Sequence, residues 1–144
     1  MLVKPGLIDA NVLVYAMDAD SPHHGASRSL LESARDTYGT VYVTLQTLCE
    51  FYSVVTNARR VSKPRSPADA LAAISGLLAF AHVLPVPSTT VNGLLDLLRR
   101  RLVTGGDVFD VHLVATMEAS GILTIYTFNR GDFECFSELE VLTP

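Results

Sequence analysis

An alternation constrains the fold more than any single motif. Short runs rich in apolar and β-branched residues, "LVKPGLID" (2–9), "GTVYVT" (39–44), "HVLPVP" (82–87), "ILTIYTF" (122–128) and "LEVLTP" (139–144), are separated by longer stretches of helical character. Parallel strands need long crossovers, usually helices, so this order implies a central, mostly parallel β-sheet with α-helices on both faces. The expected fold class is α/β, with one domain over residues 1–144. Composition agrees, because 49% of the residues are apolar and 18% charged, enough for a core and too apolar for long disordered tails.

The helical stretches carry their own punctuation. "ANVLVYAMD" reads as a short helix leaving the first strand, and "HHGASRSLLESARD" (23–36) as a helix carrying Leu30 and Leu31. "TLCEFYSVVTNARR" (47–60) has an apolar stripe through Leu48, Cys49, Tyr52 and Val55. "SPADALAAISGLLAFA" opens with Ser66 as N-cap and Pro67 at the first helical position, both favoured there. "STTVNGLLDLLRRRLVTG" is expected to close at Gly105 and Gly106, and "DVFDVHLVATMEASG" (107–121) at Gly121.

Other classes of protein are disfavoured. Apolar runs fall well short of the roughly 20 residues that span a bilayer. Lys4, Pro5 and Asp9 interrupt the start, so no secretory signal is evident. A cytoplasmic setting without a membrane partner is expected, with Cys49 and Cys135 as buried, reduced thiols. The net charge of −4 opposes wholesale attraction to nucleic acid. Basic residues nonetheless cluster, as Arg59, Arg60, Lys63 and Arg65 in "NARRVSKPR" and as Arg99 to Arg101 in "LRRRL". They read either as solvated helix ends that complement the helix dipole or as tracks for a phosphate backbone.

In parallel α/β sheets, ligands bind outside the carboxyl ends of the strands. Asp9 follows the first strand and Asp132 the last long one. Asp107 and Asp110 begin the helix that feeds that strand, and Glu50 lies in the helix after the second strand. Each has an ordinary use. Asp9 can cap the next helix, Asp107 and Asp110 have the spacing of an N-cap and its partner, and Asp132 can hold a turn after Gly131. Glu50, between Cys49, Phe51 and Tyr52, is the hardest to explain that way. If the acids converge, two unit charges about 4 Å apart repel by about 4 kcal/mol at an effective dielectric near 20. Such a cluster must share protons or hold a cation, and an all-oxygen set suits Mg²⁺ or Mn²⁺ rather than zinc. The chemistry that follows is phosphodiester hydrolysis.

At these residues the sequence resembles the PIN-domain family, and within it the VapC-type toxins of toxin–antitoxin pairs. "LIDANVLVYAMD" is similar to that family's opening strand, with Asp9 as first acid and Asn11 as a polar companion. "TLQTLCEFYSVVTN" resembles the second motif and carries Glu50. "VFDVHLVATMEASGILTIYTFNRGDF" resembles the third and fourth, with Asp110 and Asp132. "FECFSELEVLTP" resembles the usual tail, so the likeness runs nearly end to end.

The resemblance implies a PIN-like nuclease domain and an endoribonuclease that uses Mg²⁺ or Mn²⁺ to activate water. Asp9, Glu50, Asp110 and Asp132 would form its metal-binding, catalytic set. Asn129 stands where many relatives have aspartate, so either Asn129 or Asp132 would reach the metal. Asp107 is expected to cap its helix, with a supporting place near the metal as the alternative. His112, next in sequence to Val111, projects onto another helix face than Asp110. Arg59, Arg60, Lys63 and Arg65 acquire a second reading as RNA-backbone contacts. Implied partners are RNA, a VapB-type antitoxin lying in an apolar groove, and a second copy of the chain, with larger toxin–antitoxin assemblies as an extension. Two alternatives stand beside this reading. One is a PIN-fold binding protein without turnover. The other is a haloacid-dehalogenase-like phosphatase, for which "IDAN" is a faint match lacking the later Thr and Lys.

Overall fold

A computed structural model describes residues 3–37 and 40–144. Its strands are β1 (Gly6–Ile8), β2 (Val41–Val43), β3 (His82–Val83), β4 (Thr124–Tyr126) and β5 (Glu140–Leu142). The helices between them are α1 (Ala10–Ala16), α2 (His24–Asp36), α3 (Leu45–Val55), α4 (Pro67–Leu78), α5 (Thr90–Arg100) and α6 (Val108–Ala119). The strands form one sheet in the order β3-β2-β1-β4-β5, and every pairing is parallel. This is the α/β class expected from the alternation of runs.

Side chains alternate across a strand, and that period of two divides the core. Ile8, Val41, Val43 and Tyr126 face one layer, where they pack with Val12, Leu13, Leu48, Phe51 and Val55 of α1 and α3 and with residues of α2 and α4. Leu7 and Ile125, one residue away, face the opposite layer of α5 and α6 through Leu97, Val111, Val114 and Met117. Both faces are therefore covered, which explains strands that are apolar throughout rather than alternating.

Local signals explain several boundaries. Ser66 accepts a hydrogen bond from the Asp69 amide, with Pro67 opening α4, as expected. At the end of α6, Gly121 adopts φ 71°, a left-handed conformation that suits glycine. The Gly121 amide donates to the Glu118 carbonyl at 3.1 Å and the Ile122 amide to Met117 at 3.0 Å, closing the helix in a Schellman motif. Thr44 and Thr47 exchange side-chain and backbone bonds in a capping box that starts α3 two residues earlier than expected.

Elsewhere tertiary contacts prevail. Of the expected strands at 2–9 and 39–44, Gly6–Ile8 and Val41–Val43 are strand, while Leu2 and Gly39 lie outside the described residues. α3 ends at Val55, so "NARR" is not helical. Its buried stripe runs through Thr47, Leu48, Phe51 and Val55 instead of through Cys49 and Tyr52. α5 stops at Arg100 and not at Gly105, because Arg101 turns extended and its guanidinium lies 4.4 Å from the Phe136 ring centre. Val103 then packs into the core cluster on that face. Both cysteines are exposed, against expectation. Cys49 sits on the side of α3 that faces a cleft, and the flanking apolar residues Phe133 and Phe136 are buried without Cys135. Among the described residues, no helix is long and apolar enough to cross a membrane.

Gly6 is the tightest point of the sheet. A Cβ there would meet the Thr124 carbonyl oxygen, the Thr124 methyl and the Tyr126 ring, each at 3.0 Å. Gly6→Ala is expected to cost on the order of 1–3 kcal/mol by overpacking. Urea unfolding checks this, and an unchanged midpoint would show that β1 and β4 can part without penalty.

Candidate active site

The strand order reverses direction between β1 and β4. From β1 the chain moves to β2 and β3 on one side, then crosses back to β4 and β5 on the other. A crevice opens at the carboxyl ends of such a pair. Here it is a cleft of about 780 Å³ lined by Asp9, Asn11, Glu50, Asp110, Asn129 and Asp132, among others. The four acids come from the end of β1, from α3, from the first turn of α6 and from the turn after β4.

Asp9 is the buried member, with 7% of its surface exposed. One carboxylate oxygen accepts from the Ala10 amide at 2.8 Å, which caps α1 as expected. The other accepts from Asn11 Nδ2 at 3.0 Å and from Thr127 Oγ1 at 2.9 Å. A carboxylate has about four acceptor positions, so roughly one stays open toward the cleft. Thr127 links the set further, accepting from Asn11 Nδ2 and from the Asn129 amide, each at 3.0 Å. Asn11 Oδ1 accepts from the Phe128 amide at 3.0 Å. Asp9 is thus held at the sheet end by donors from the start of α1, Ala10 and Asn11, and from Thr127 just after β4.

Electrostatics follow from this placement. Burial raises the Asp9 pKa above its ordinary value; the Thr127 and Ala10 hydrogen bonds oppose the rise, and Glu50 and Asp132 add to it. Burial also pushes Asp110 up, to about 6, with the charges of Asp132, Asp9, Glu50 and Asp107 contributing in that order. The acids are therefore close enough to feel one another. Glu50 is exposed on α3, where Gln46 Nε2 donates to Glu50 Oε1 at 3.0 Å and to the Phe109 carbonyl at 3.2 Å. Gln46 also bonds His112 Nδ1, tying Glu50 to the helix that carries Asp110.

Not every expected residue joins them. Asp107 is exposed, lies outside the cleft lining and makes no side-chain cap bond, since it ends a 3₁₀ turn (Gly105–Asp107) that runs straight into α6. The expected cap is therefore corrected. His112 stays on Gln46 and does not line the cleft. Of the basic residues only Arg60 lines it, and Arg99 to Arg101 do not. Besides Asp18, a fifth carboxylate in the cleft wall, Thr127 and Gln46 are the site residues that the sequence did not mark. Both signals are weak, a threonine at a strand end and a glutamine one turn before Glu50.

Among the described residues, no group of three or more His, Cys, Asp or Glu side chains is placed so that it could hold a metal ion together. A site of the closed structural-zinc type is therefore not formed by these residues, and any ion here would have to take part of its coordination from water, as Mg²⁺ does. The all-oxygen donor set, one open acceptor position on Asp9 and mutually repelling neighbours fit such an ion.

The PIN-domain family profile matches residues 6–139. The chain belongs to the PIN-domain family. It is 31% identical over 140 residues to ribonuclease VapC48 of Mycobacterium tuberculosis, covering 94% of each protein, which places it among the VapC-type members. Its fold is similar to that of Mycobacterium tuberculosis VapC20, described as a sarcin–ricin loop cleaving toxin, with a TM-score of 0.65 and 19% identity over 90% of this chain and 94% of that one. It is also similar to a chain of Rickettsia felis VapBC2 bound to a DNA fragment from their promoter, with a TM-score of 0.66 and 16% identity over 96% and 97%. The family assignment displaces the phosphatase alternative.

Two measurements test this description of the site. Thr127→Val is expected to cost about 1–3 kcal/mol, because a buried carboxylate and an amide lose their partner. Asp107→Ala should stay within about 0.5 kcal/mol of the parent, as for an exposed residue without a bond to lose. Denaturant titration of both variants decides.

The second concerns pH in the absence of divalent ions. The folded pKa of Asp110 lies above the unfolded value, so its contribution to stability is complete below about pH 4 and is lost as pH rises through about 6. For a half-exposed group the loss, after solvent screening, is on the order of 1 kcal/mol. Thermal melts in EDTA from pH 4 to 7 should show the parent falling relative to Asp110→Asn, and parallel curves would refute the shift.

Proposed function

We propose that this chain is a Mg²⁺- or Mn²⁺-dependent endoribonuclease, the toxin of a VapBC-type toxin–antitoxin pair, acting on RNA in the cytoplasm. The observation that carries the reading is the convergence of Asp9, Glu50, Asp110 and Asp132 on one cleft at the strand ends. The ribonuclease in the name of VapC48 supports RNA as the substrate. These four acids would hold the ion, with Asn11 and Asn129 as polar support, and when bound it would lower the pKa of a water and offset charge on the phosphate.

The protein's own residues prepare that chemistry. Ala10, Asn11 and Thr127 fix the Asp9 carboxylate before any ligand arrives, so little reorganisation is left for the reaction. Asp110 and Asp132 repel Asp9, which disfavours the ion-free state and favours cation capture. An RNA phosphate entering the same cleft would be repelled by these acids unless a cation lay between them.

A second groove supports the partner reading. It holds about 260 Å³ between α1, α2 and α4, with Leu13, Leu31, Phe51, Ile74, Leu77 and Phe80 in its wall. Arg28, Glu32 and Arg35 also line it, a pattern suited to an amphipathic antitoxin segment. Exposed Leu45 and Phe109, joined through Gln46, suit contact with a second copy of the chain.

Cleavage of RNA by the purified chain, in Mg²⁺, Mn²⁺ or EDTA, tests the proposal. Cleavage is expected with either ion and absent in EDTA. Asp110→Asn should abolish it with no loss of melting temperature. Asp9→Asn should abolish it too but cost about 1–3 kcal/mol, because the new amide faces groups that already donate. Parent-rate cleavage by Asp110→Asn would refute the assignment.

A further inference from the structure

The basic segment 57–65 divides according to what its cations touch. Lys63 pairs with Asp20 at 3.0 Å, and the Arg65 guanidinium donates to the Met17 carbonyl at 2.7 Å. The backbone is fixed as well. Asn57 Oδ1 accepts from the Arg59 amide at 2.9 Å, and the Asn57 carbonyl accepts from Arg60 at 2.9 Å and Val61 at 3.1 Å. The Arg65 amide donates to the Val55 carbonyl at 2.7 Å. Two of the four cations thus contact the end of α1 and the acidic segment that follows it across the surface, so each already has a partner within the chain.

Arg59 and Arg60 are exposed, and among the described residues neither lies within ion-pair distance of a carboxylate. Arg60, with Val61 and Ser62, forms part of the wall of the acidic cleft, and it is the one Lys, Arg or His among the lining residues. The same cleft contains Asp9, Asp18, Glu50, Asp110 and Asp132. A guanidinium that shares a cleft with five carboxylates and pairs with none keeps its donor fork available. Its planar pair of N–H groups matches two phosphate oxygens, a geometry that a lysine ammonium does not reproduce.

We propose that Arg60 binds a phosphate of the RNA beside the scissile bond and so draws an anionic strand into a cleft that would otherwise repel it. This rests on the ribonuclease reading above. Arg60 then supplies substrate affinity, while the acids supply the reaction. Lys63 and Arg65 act on the RNA only indirectly, by holding the loop that presents Arg60.

The test compares the parent, Arg60→Ala, Arg60→Lys and Arg99→Ala, which removes a like charge from a helix end outside the cleft. RNA cleavage in Mg²⁺ is followed across a salt series, and RNA binding is measured separately on the Asp110→Asn background. Arg60→Ala is expected to raise KM and weaken binding by about tenfold at moderate salt while kcat changes little. It should also reduce the slope of log affinity against log salt by about 0.7, as for one lost phosphate contact on a single strand. Arg60→Lys should restore the slope and only part of the affinity, and Arg99→Ala should match the parent. Unchanged KM, binding and slope in Arg60→Ala, or a fall in kcat alone, would overturn the proposal and leave the ribonuclease reading in place. A parent that neither binds nor cuts RNA would overturn both.

Discussion

The structure depends on the hydrogen bonds that hold a buried carboxylate at the end of a parallel sheet. Burying Asp9 without partners would cost several kcal/mol. Three donors, from Ala10, Asn11 and Thr127, meet that requirement. Ala10 and Asn11 are local, but Thr127 reaches Asp9 only because β1 and β4 are neighbours, with Leu7 beside Ile125 and Ile8 beside Tyr126. The same pairing explains Gly6, whose backbone leaves no room for a side chain against Thr124. Strand register and site geometry are one constraint.

Around this fixed acid the other carboxylates are looser. Glu50, Asp132 and the neighbouring Asn129 are exposed, and Asp110 is half-buried. Such an arrangement has one rigid carboxylate and several adjustable ones. It suits a strongly hydrated ion better than a metal that demands a closed cage. It also concentrates negative charge in the cleft, where Arg60 in the wall is the one cation among the lining residues.

Much of the architecture was legible because its causes are local. Ser66 with Pro67, and Gly121 with its left-handed φ, announce helix ends through the backbone alone. The apolar strands announce a sheet covered on both faces. The acids were legible as a pattern, since one follows each of the strands that meet at the reversal in strand order. What escaped is tertiary. Thr127 and Gln46 matter through bonds to residues 118 and 63 positions away in sequence, Asp9 and Phe109 respectively, and no local pattern marks such a role. Asp107 has the spacing of a cap, but the 3₁₀ turn before it gives it helical geometry too early. Cys49 looks like a core residue until the helix rotation set by Phe51 and Val55 turns it toward the cleft.

Anomalous scattering from crystals grown with Mn²⁺ would show whether the clustered carboxylates hold a divalent ion. A manganese peak is expected in the cleft in contact with the Asp9 carboxylate, with Asp110 or another of the clustered acids reached directly or through water. A fully occupied peak elsewhere, with the cleft empty at saturating Mn²⁺, would contradict this expectation.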